Sequence, residues 1–275
     1  MTRRKKKRNS EQGRNRSVYL LPNLFTTASL FAGFYGIISA IDGNYVFAAW
    51  LILVSLIFDG LDGKVARATN SVSRFGVEYD SLADVLSFGM APALIVFMWA
   101  LRDYDRLGWL ACCLFVACGA LRLARFNVQV DKVGTSHFVG LPIPAAATML
   151  ATTILCMDAL GYSAPPQPLF LLIMVLVLSF LMVSNIHYLA FKELAISHLK
   201  SFNGVFVMLL FVVLLAVHPQ GFGFALLVLY VVLGPVACYI KERRIAARSE
   251  NQIPPSQDTL TPAQPSSTAA DEDHL

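Results

Sequence analysis

Charge is what this sequence has least of. Asp, Glu, Lys and Arg make up 15% of its 275 residues, against about 25% in an ordinary soluble domain. Histidine is also sparse, at five residues. The five cysteines, Cys112, Cys113, Cys118, Cys156 and Cys238, fall inside apolar runs without metal-ligand spacing to any histidine. That excludes a zinc module and leaves them as small apolar packing groups. No basic patch is interleaved with aromatics, so nucleic acid is not an expected partner. The basic N-terminus is followed by an apolar run without a small-residue cleavage site, and that run is expected to be retained.

Apolar runs fill the space that charge leaves, with 56% of residues hydrophobic. A helix crosses the hydrocarbon core with about 20 mostly apolar residues. Eight runs approach that length: Leu24–Ile41, Tyr45–Leu61, Val85–Leu101, Leu107–Leu123, Phe138–Met157, Leu169–His187, Phe202–Val217 and Phe222–Ile240. None alternates with period two, so helices and not barrel strands are expected. With the N-terminus in the cytoplasm, 20 of the 22 Lys and Arg fall on cytoplasmic segments and only Arg102 and Arg106 fall outside. This bias sets the direction of the chain. The expected fold is all-α, a polytopic bundle of about eight transmembrane helices with both termini cytoplasmic.

Residues 1–17 read as a basic cytoplasmic arm beside anionic lipid, 18–248 as the membrane domain, and 249–275 as a disordered tail rich in Pro, Ser and Thr. Without a transit-peptide pattern, a bacterial cytoplasmic membrane is the expected location.

Acidic residues are rare but concentrated. Asp59, Asp62, Asp80 and Asp84 flank the connection between the second and third runs. A charge at membrane depth costs roughly 2.5–3.5 kcal/mol on insertion scales, so four together call for a functional reason. At about 100° per residue, Asp59, Asp62, Gly63 and Ala66 share a helical stripe with Arg67 at its edge, and Asp80 and Asp84 share another. Antiparallel neighbours would bring these faces together. Converging carboxylates repel unless cations intervene, and hard oxygen ligands suit Mg²⁺ or Mn²⁺ joined to substrate phosphates. Small Gly63 and Ala66 admit a ligand, and Arg67 offers a fork for phosphate. A solvated loop balanced by Lys64, Arg67 and Arg74 is the rival reading, and it leaves the helical stripes unexplained. An ion or proton transporter is another, although transport sites favour the bilayer midplane.

The series Asp59, Asp62, Gly63, Ala66, Arg67, Gly76, Asp80, Asp84 resembles, at every fixed position, the signature of the CDP-alcohol phosphatidyltransferases. The resemblance implies two divalent ions held by all four aspartates, Asp84 as general base, and Gly63, Arg67 and Ser73 against the CDP-lipid. Ala66, Gly76, Asn23 and Thr26 are assigned to the same donor site, Asn23 and Thr26 with helix capping as the alternative. The stretches Pro22–Thr26, Ser87–Pro92, Ala120–Asn127 and Gly140–Ala146 are most similar to members that take L-serine as acceptor and CDP-diacylglycerol as donor. Other acceptors are glycerol 3-phosphate and inositol. Against glycerol phosphate stands Leu30, where such members carry a basic residue. Arg122 and Arg125, with Asn127, are the candidates for the serine carboxylate; lipid-facing snorkelling is their bland alternative. Family resemblance also implies a homodimer.

Overall fold

The structure, a computed structural model, describes residues 2–69, 71, 73–130, 138–163, 165, 167–188 and 219–250. The chain divides into two compact units, Met1–Cys238 and Tyr239–Leu275. In the second, the described residues 239–250 are helical. The seventh predicted span and nearly all of the predicted tail lie outside the described residues.

Helix α1 (Thr2–Ile41) takes in the basic arm as well as the first predicted span. A turn with Gly43 at φ 82° reverses the chain into α2 (Tyr45–Ala68); an L-residue rarely adopts that φ, and glycine does so freely. Small residues let the two helices approach: Ala40, Ala48 and Ala49 are buried, and a Cβ on Gly36 would stand 3.4 Å from the Ala48 carbonyl oxygen. Close packing through small residues is how membrane helices associate, since lipid offers no hydrophobic drive between them.

Helix α3 (Arg74–Asp84) opens on Ser73, whose Oγ accepts from the Gly76 amide at 3.0 Å. It continues through a π-helical turn (Val85–Met90), α4 (Ala91–Val96), a second π turn (Phe97–Leu101) and a 3₁₀ turn (Arg102–Tyr104). In the first π turn the Ala91 amide reaches back to the Leu86 carbonyl. Pro92 follows directly and has no amide of its own to continue the ladder. Asp105, at φ 45°, then starts α5 (Asp105–Val130), which packs back along the same segments.

The fifth and sixth spans differ from expectation at their ends. Pro142 is the N-cap of α6 (Ile143–Ala159), so the helix starts five residues later than Phe138; the fixed φ of proline and its missing amide suit a first turn. Helix α7 (Pro168–Val183) stops short of His187. Phe138–Val139 and His187–Tyr188 instead form a two-residue antiparallel pair, supported by Gly140 N to Ile186 O at 2.9 Å. Otherwise the described regular elements are helical, ending with α8 (Pro219–Glu250).

Three helical stretches are long and apolar enough to cross a membrane: Leu21–Ile41, Tyr45–Ala68 and Arg74–Val128. The last contains two of the predicted spans. Phe88, Phe115, Ile143, Leu150, Leu171 and Leu178 are fully buried at the centre. Phe31 and Phe34 on α1 and Ile173, Val177 and Phe180 on α7 are exposed. An apolar surface of this kind suits lipid as solvent. The architecture is that of a helical membrane protein.

Candidate active site

The four aspartates sit on helices, not in a loop. Asp59 and Asp62 occupy the second half of α2, and Asp80 and Asp84 the middle and end of α3. Carboxylate oxygens of Asp59, Asp62 and Asp80 all lie within 4.8 Å of one another. Asp84 and Asp59 are within hydrogen-bonding reach, as are Asp62 and Asp80. Asp62 is 5% exposed and the other three are half-buried.

At such separations two ionised carboxylates repel by roughly 3 kcal/mol at an effective dielectric of 20. An exposed ion pair returns only about 0–1 kcal/mol, so Arg67, on the surface, cannot balance three such pairs. Cations bound among the carboxylates can. The residues fit that role: Asp80 Oδ1 is buried and has no hydrogen-bond partner among the described residues, and an oxygen-only donor set suits Mg²⁺ or Mn²⁺.

Helix α1 supplies the support. Thr26 Oγ1 donates to Asp62 Oδ2 at 2.7 Å and also reaches the Pro22 carbonyl at 3.2 Å. The Thr27 hydroxyl meets the Tyr79 hydroxyl at 2.9 Å, tying α1 to α3 beside Asp80. Deeper in the bundle, Ser29 and Ser55 hydroxyls meet at 2.8 Å, and Ser87 Oγ donates to the Ser29 carbonyl at 3.2 Å. A Cβ on Gly33 would lie 2.8 Å from Ser87 Cα, so only glycine permits this approach of α1 to the π turn.

Against the carboxylates lies a cavity of about 180 Å³. Asn23, Thr26, Gly63, Ala66, Arg67, Ser73 and Gly76 all line it, together with Asp62 and Asp80. Every residue expected to meet the CDP-lipid is therefore on one cavity wall. Neither Asn23 nor Thr26 caps a helix, because α1 runs straight through both. Gly76 has to be small: a Cβ there would meet Ser73 Oγ at 3.1 Å and Asn23 Oδ1 at 3.3 Å. Pro22, from the stretch Pro22–Thr26 that carries the resemblance, lines the cavity too, as do Ser71 and Val77, which carried no signal in the sequence.

The three residues expected near the acceptor separate. Arg122 is 8% exposed, stacks over Phe126 at 5.8 Å, and lies within electrostatic reach of Asp84 and Tyr230. Its Nε has no partner among the described residues. Arg125 donates instead to Asn185 Oδ1 at 2.7 Å, binding α5 to the exit of α7. Asn127 Nδ2 donates to Ser81 Oγ at 2.9 Å, holding α5 against α3. Of the three, Arg122 is the one in electrostatic reach of an aspartate of the cluster, Asp84. Tyr230, far along the chain on α8, was not foreseen, since only folding brings it there.

The family model for CDP-alcohol phosphatidyltransferase matches residues 19–183, from within α1 to the end of α7. The chain belongs to the CDP-alcohol phosphatidyltransferase family. Members depend on divalent metal, consistent with the carboxylate cluster. The chain is 43% identical over 218 residues to a CDP-diacylglycerol–serine O-phosphatidyltransferase of Helicobacter pylori, covering 79% of this chain and 90% of that protein. A protein of the same name from Bacillus subtilis is 34% identical over 66% of this chain and 96% of its own length. An archaetidylserine synthase of Methanothermobacter thermautotrophicus is 39% identical, covering 62% and 70% respectively. The four aspartates, the cavity lining and Arg122 all fall within the matched residues, and Tyr230 on α8 falls outside them.

Proposed function

We propose that this chain transfers the phosphatidyl group of CDP-diacylglycerol to the hydroxyl of L-serine, forming phosphatidylserine and releasing CMP. The observation that carries the reading is the two-sided setting of the aspartates: Asp62 and Asp80 line the cavity with Arg67 and Ser73, while Asp84 lies within electrostatic reach of buried Arg122. Donor and acceptor then meet across the cluster. The names of the relatives support serine as the acceptor.

In this reading Arg67 forks onto diphosphate oxygens, and Ser73 and Asn23 offer polar groups beside them. Gly63, Ala66 and Gly76 leave the room that the donor occupies. Asp59, Asp62, Asp80 and Asp84 would hold two divalent ions, Mg²⁺ or Mn²⁺, which supply neutralisation of the diphosphate and of the CMP leaving group. Arg122 takes the serine carboxylate. Asp84 accepts the serine hydroxyl proton as that oxygen attacks the phosphatidyl phosphorus; the bond from phosphorus to the CMP oxygen breaks, and CMP departs. Arg125 and Asn127 position α5 and with it Arg122.

The protein is read as an eight-span homodimer of the bacterial inner membrane, with the aspartates and both termini cytoplasmic. The donor enters from the lipid and serine from the water.

The test is an acceptor panel on detergent-solubilised protein: CDP-diacylglycerol with labelled serine, glycerol 3-phosphate or inositol, each with and without divalent metal. CMP release is expected with serine and metal together. Release with another alcohol but not with serine overturns the acceptor, and release after complete chelation overturns the metal site.

A further inference from the structure

At the end of α2 remote from the aspartates a second cavity opens, of about 520 Å³, between the α1–α2 turn and the α6–α7 connection. A rise of about 1.5 Å per residue puts Asp59 roughly 20 Å beyond Tyr45 along α2, so this cavity is separate from the reaction site.

Its chemistry is specific. Tyr45, Trp50, Trp99 and Tyr162 supply aromatic walls, Asp158 supplies a carboxylate, and no Lys, Arg or His is in the lining. Two of the chain's three tryptophans are here, which concentrates ring faces at one place. The walls are held in position. Trp99 is 7% exposed and its Nε1–H donates to the Ser163 carbonyl at 2.9 Å, while the Tyr45 hydroxyl donates to the Met98 carbonyl at 3.2 Å. The Trp99 N–H is engaged inside the protein, which fixes its ring against the α6–α7 connection. The Asp158 carboxylate is exposed and has no hydrogen-bond or ion-pair partner among the described residues. Ring faces and one unpaired carboxylate attract cations. Asn44, Tyr162 and Ser163 add neutral polar groups to the lining, but no cationic side chain is there to hold an anion.

We infer that this cavity binds the alkylammonium group of a zwitterionic phospholipid from the leaflet opposite the aspartates. The inference rests on α2 crossing the membrane and is otherwise independent of the proposed reaction. The ammonium enters between the rings towards Asp158, and the phosphate of the same headgroup stays outside, where the lining offers it no cation. Phe47 and Trp50, 51% and 42% exposed, flank the opening where acyl chains would lie.

The test uses the full chain in detergent, equilibrated with equal amounts of phosphatidylcholine and phosphatidylglycerol, with bound lipid counted by native mass spectrometry. Phosphatidylcholine is expected to be retained about tenfold over phosphatidylglycerol. Asp158→Asn and Trp50→Ala are each expected to reduce its retention about tenfold, while CMP release stays at the unsubstituted level and shows that the fold is intact. Equal retention of the two lipids, or retention indifferent to both substitutions, means an interfacial aromatic belt only and overturns the site. A third arm adds tetramethylammonium chloride: displacement only at concentrations far above those of the lipid supports a lipid ligand. If tetramethylammonium binds as tightly as phosphatidylcholine, the ligand is a free cation and the lipid assignment falls.

Discussion

One hydroxyl on α1 holds the most buried of the four carboxylates: Thr26 Oγ1 donates to Asp62 Oδ2 at 2.7 Å. Groups that orient a ligand of a metal typically change affinity by about 10–100-fold when removed. Thr26→Val is therefore expected to raise the metal concentration for half-maximal CMP release by that factor, with maximal activity largely recovered at saturating metal. A loss that no metal concentration restores would show that Thr26 contacts the substrate instead. The two arginines of α5 make a second contrast. Arg122→Ala is expected to raise KM for serine by at least about tenfold, the loss of a charge-assisted contact, and to leave KM for CDP-diacylglycerol nearly unchanged. Arg125→Ala should act through stability, because its guanidinium is already engaged with Asn185. A melting shift without a serine-specific KM effect is the outcome to measure. Asp84→Asn should fold and lose roughly 10²–10⁴ in CMP release, the usual contribution of a general base. Unchanged release would remove Asp84 from that role.

Between α1 and the π turn, packing depends on the absence of a side chain. Gly33 leaves Ser87 close enough to bond the Ser29 carbonyl, and a Cβ there would meet Ser87 Cα at 2.8 Å. Gly33→Val should separate the two elements at a cost of about 1–3 kcal/mol, the usual range for overpacking. The readout is a lower melting temperature in detergent together with loss of activity, since α1 carries Thr26 and α3 carries Asp80 and Asp84. A melting curve identical to that of the unsubstituted protein would mean the elements part without strain. Helix α3 has its own start signal: Ser73 Oγ accepts from the Gly76 amide and caps the helix that carries Asp80 and Asp84.

The whole molecule puts its aspartate cluster and its aromatic cavity towards opposite ends of α2. If α2 spans the membrane as proposed, single cysteines at Asn44 and Ser163, in a background without the native cysteines, should be labelled from outside intact spheroplasts by an impermeant maleimide. Thr69→Cys should be labelled only after lysis. Labelling of all three from one side would overturn the proposed orientation and the count of spans with it.

Much of this was legible in the residues. Run length and the scarcity of charge dictated helices in lipid, because an unpaired backbone cannot cross hydrocarbon. The i,i+3 and i,i+4 spacing of Asp59, Asp62, Asp80 and Asp84 dictated two acid-bearing faces, since helical periodicity is local. Helix ends were legible only within a few residues: the apolar pattern continues through Phe138 and His187, where a two-residue strand pair won over the helix. What folding alone decided is which groups meet. Tyr230 approaches Arg122, Arg125 turns to Asn185, and Thr26 reaches Asp62 across two helices. Each contact joins residues far apart in the chain, and their meeting depends on crossing geometry and close packing, which no local pattern encodes.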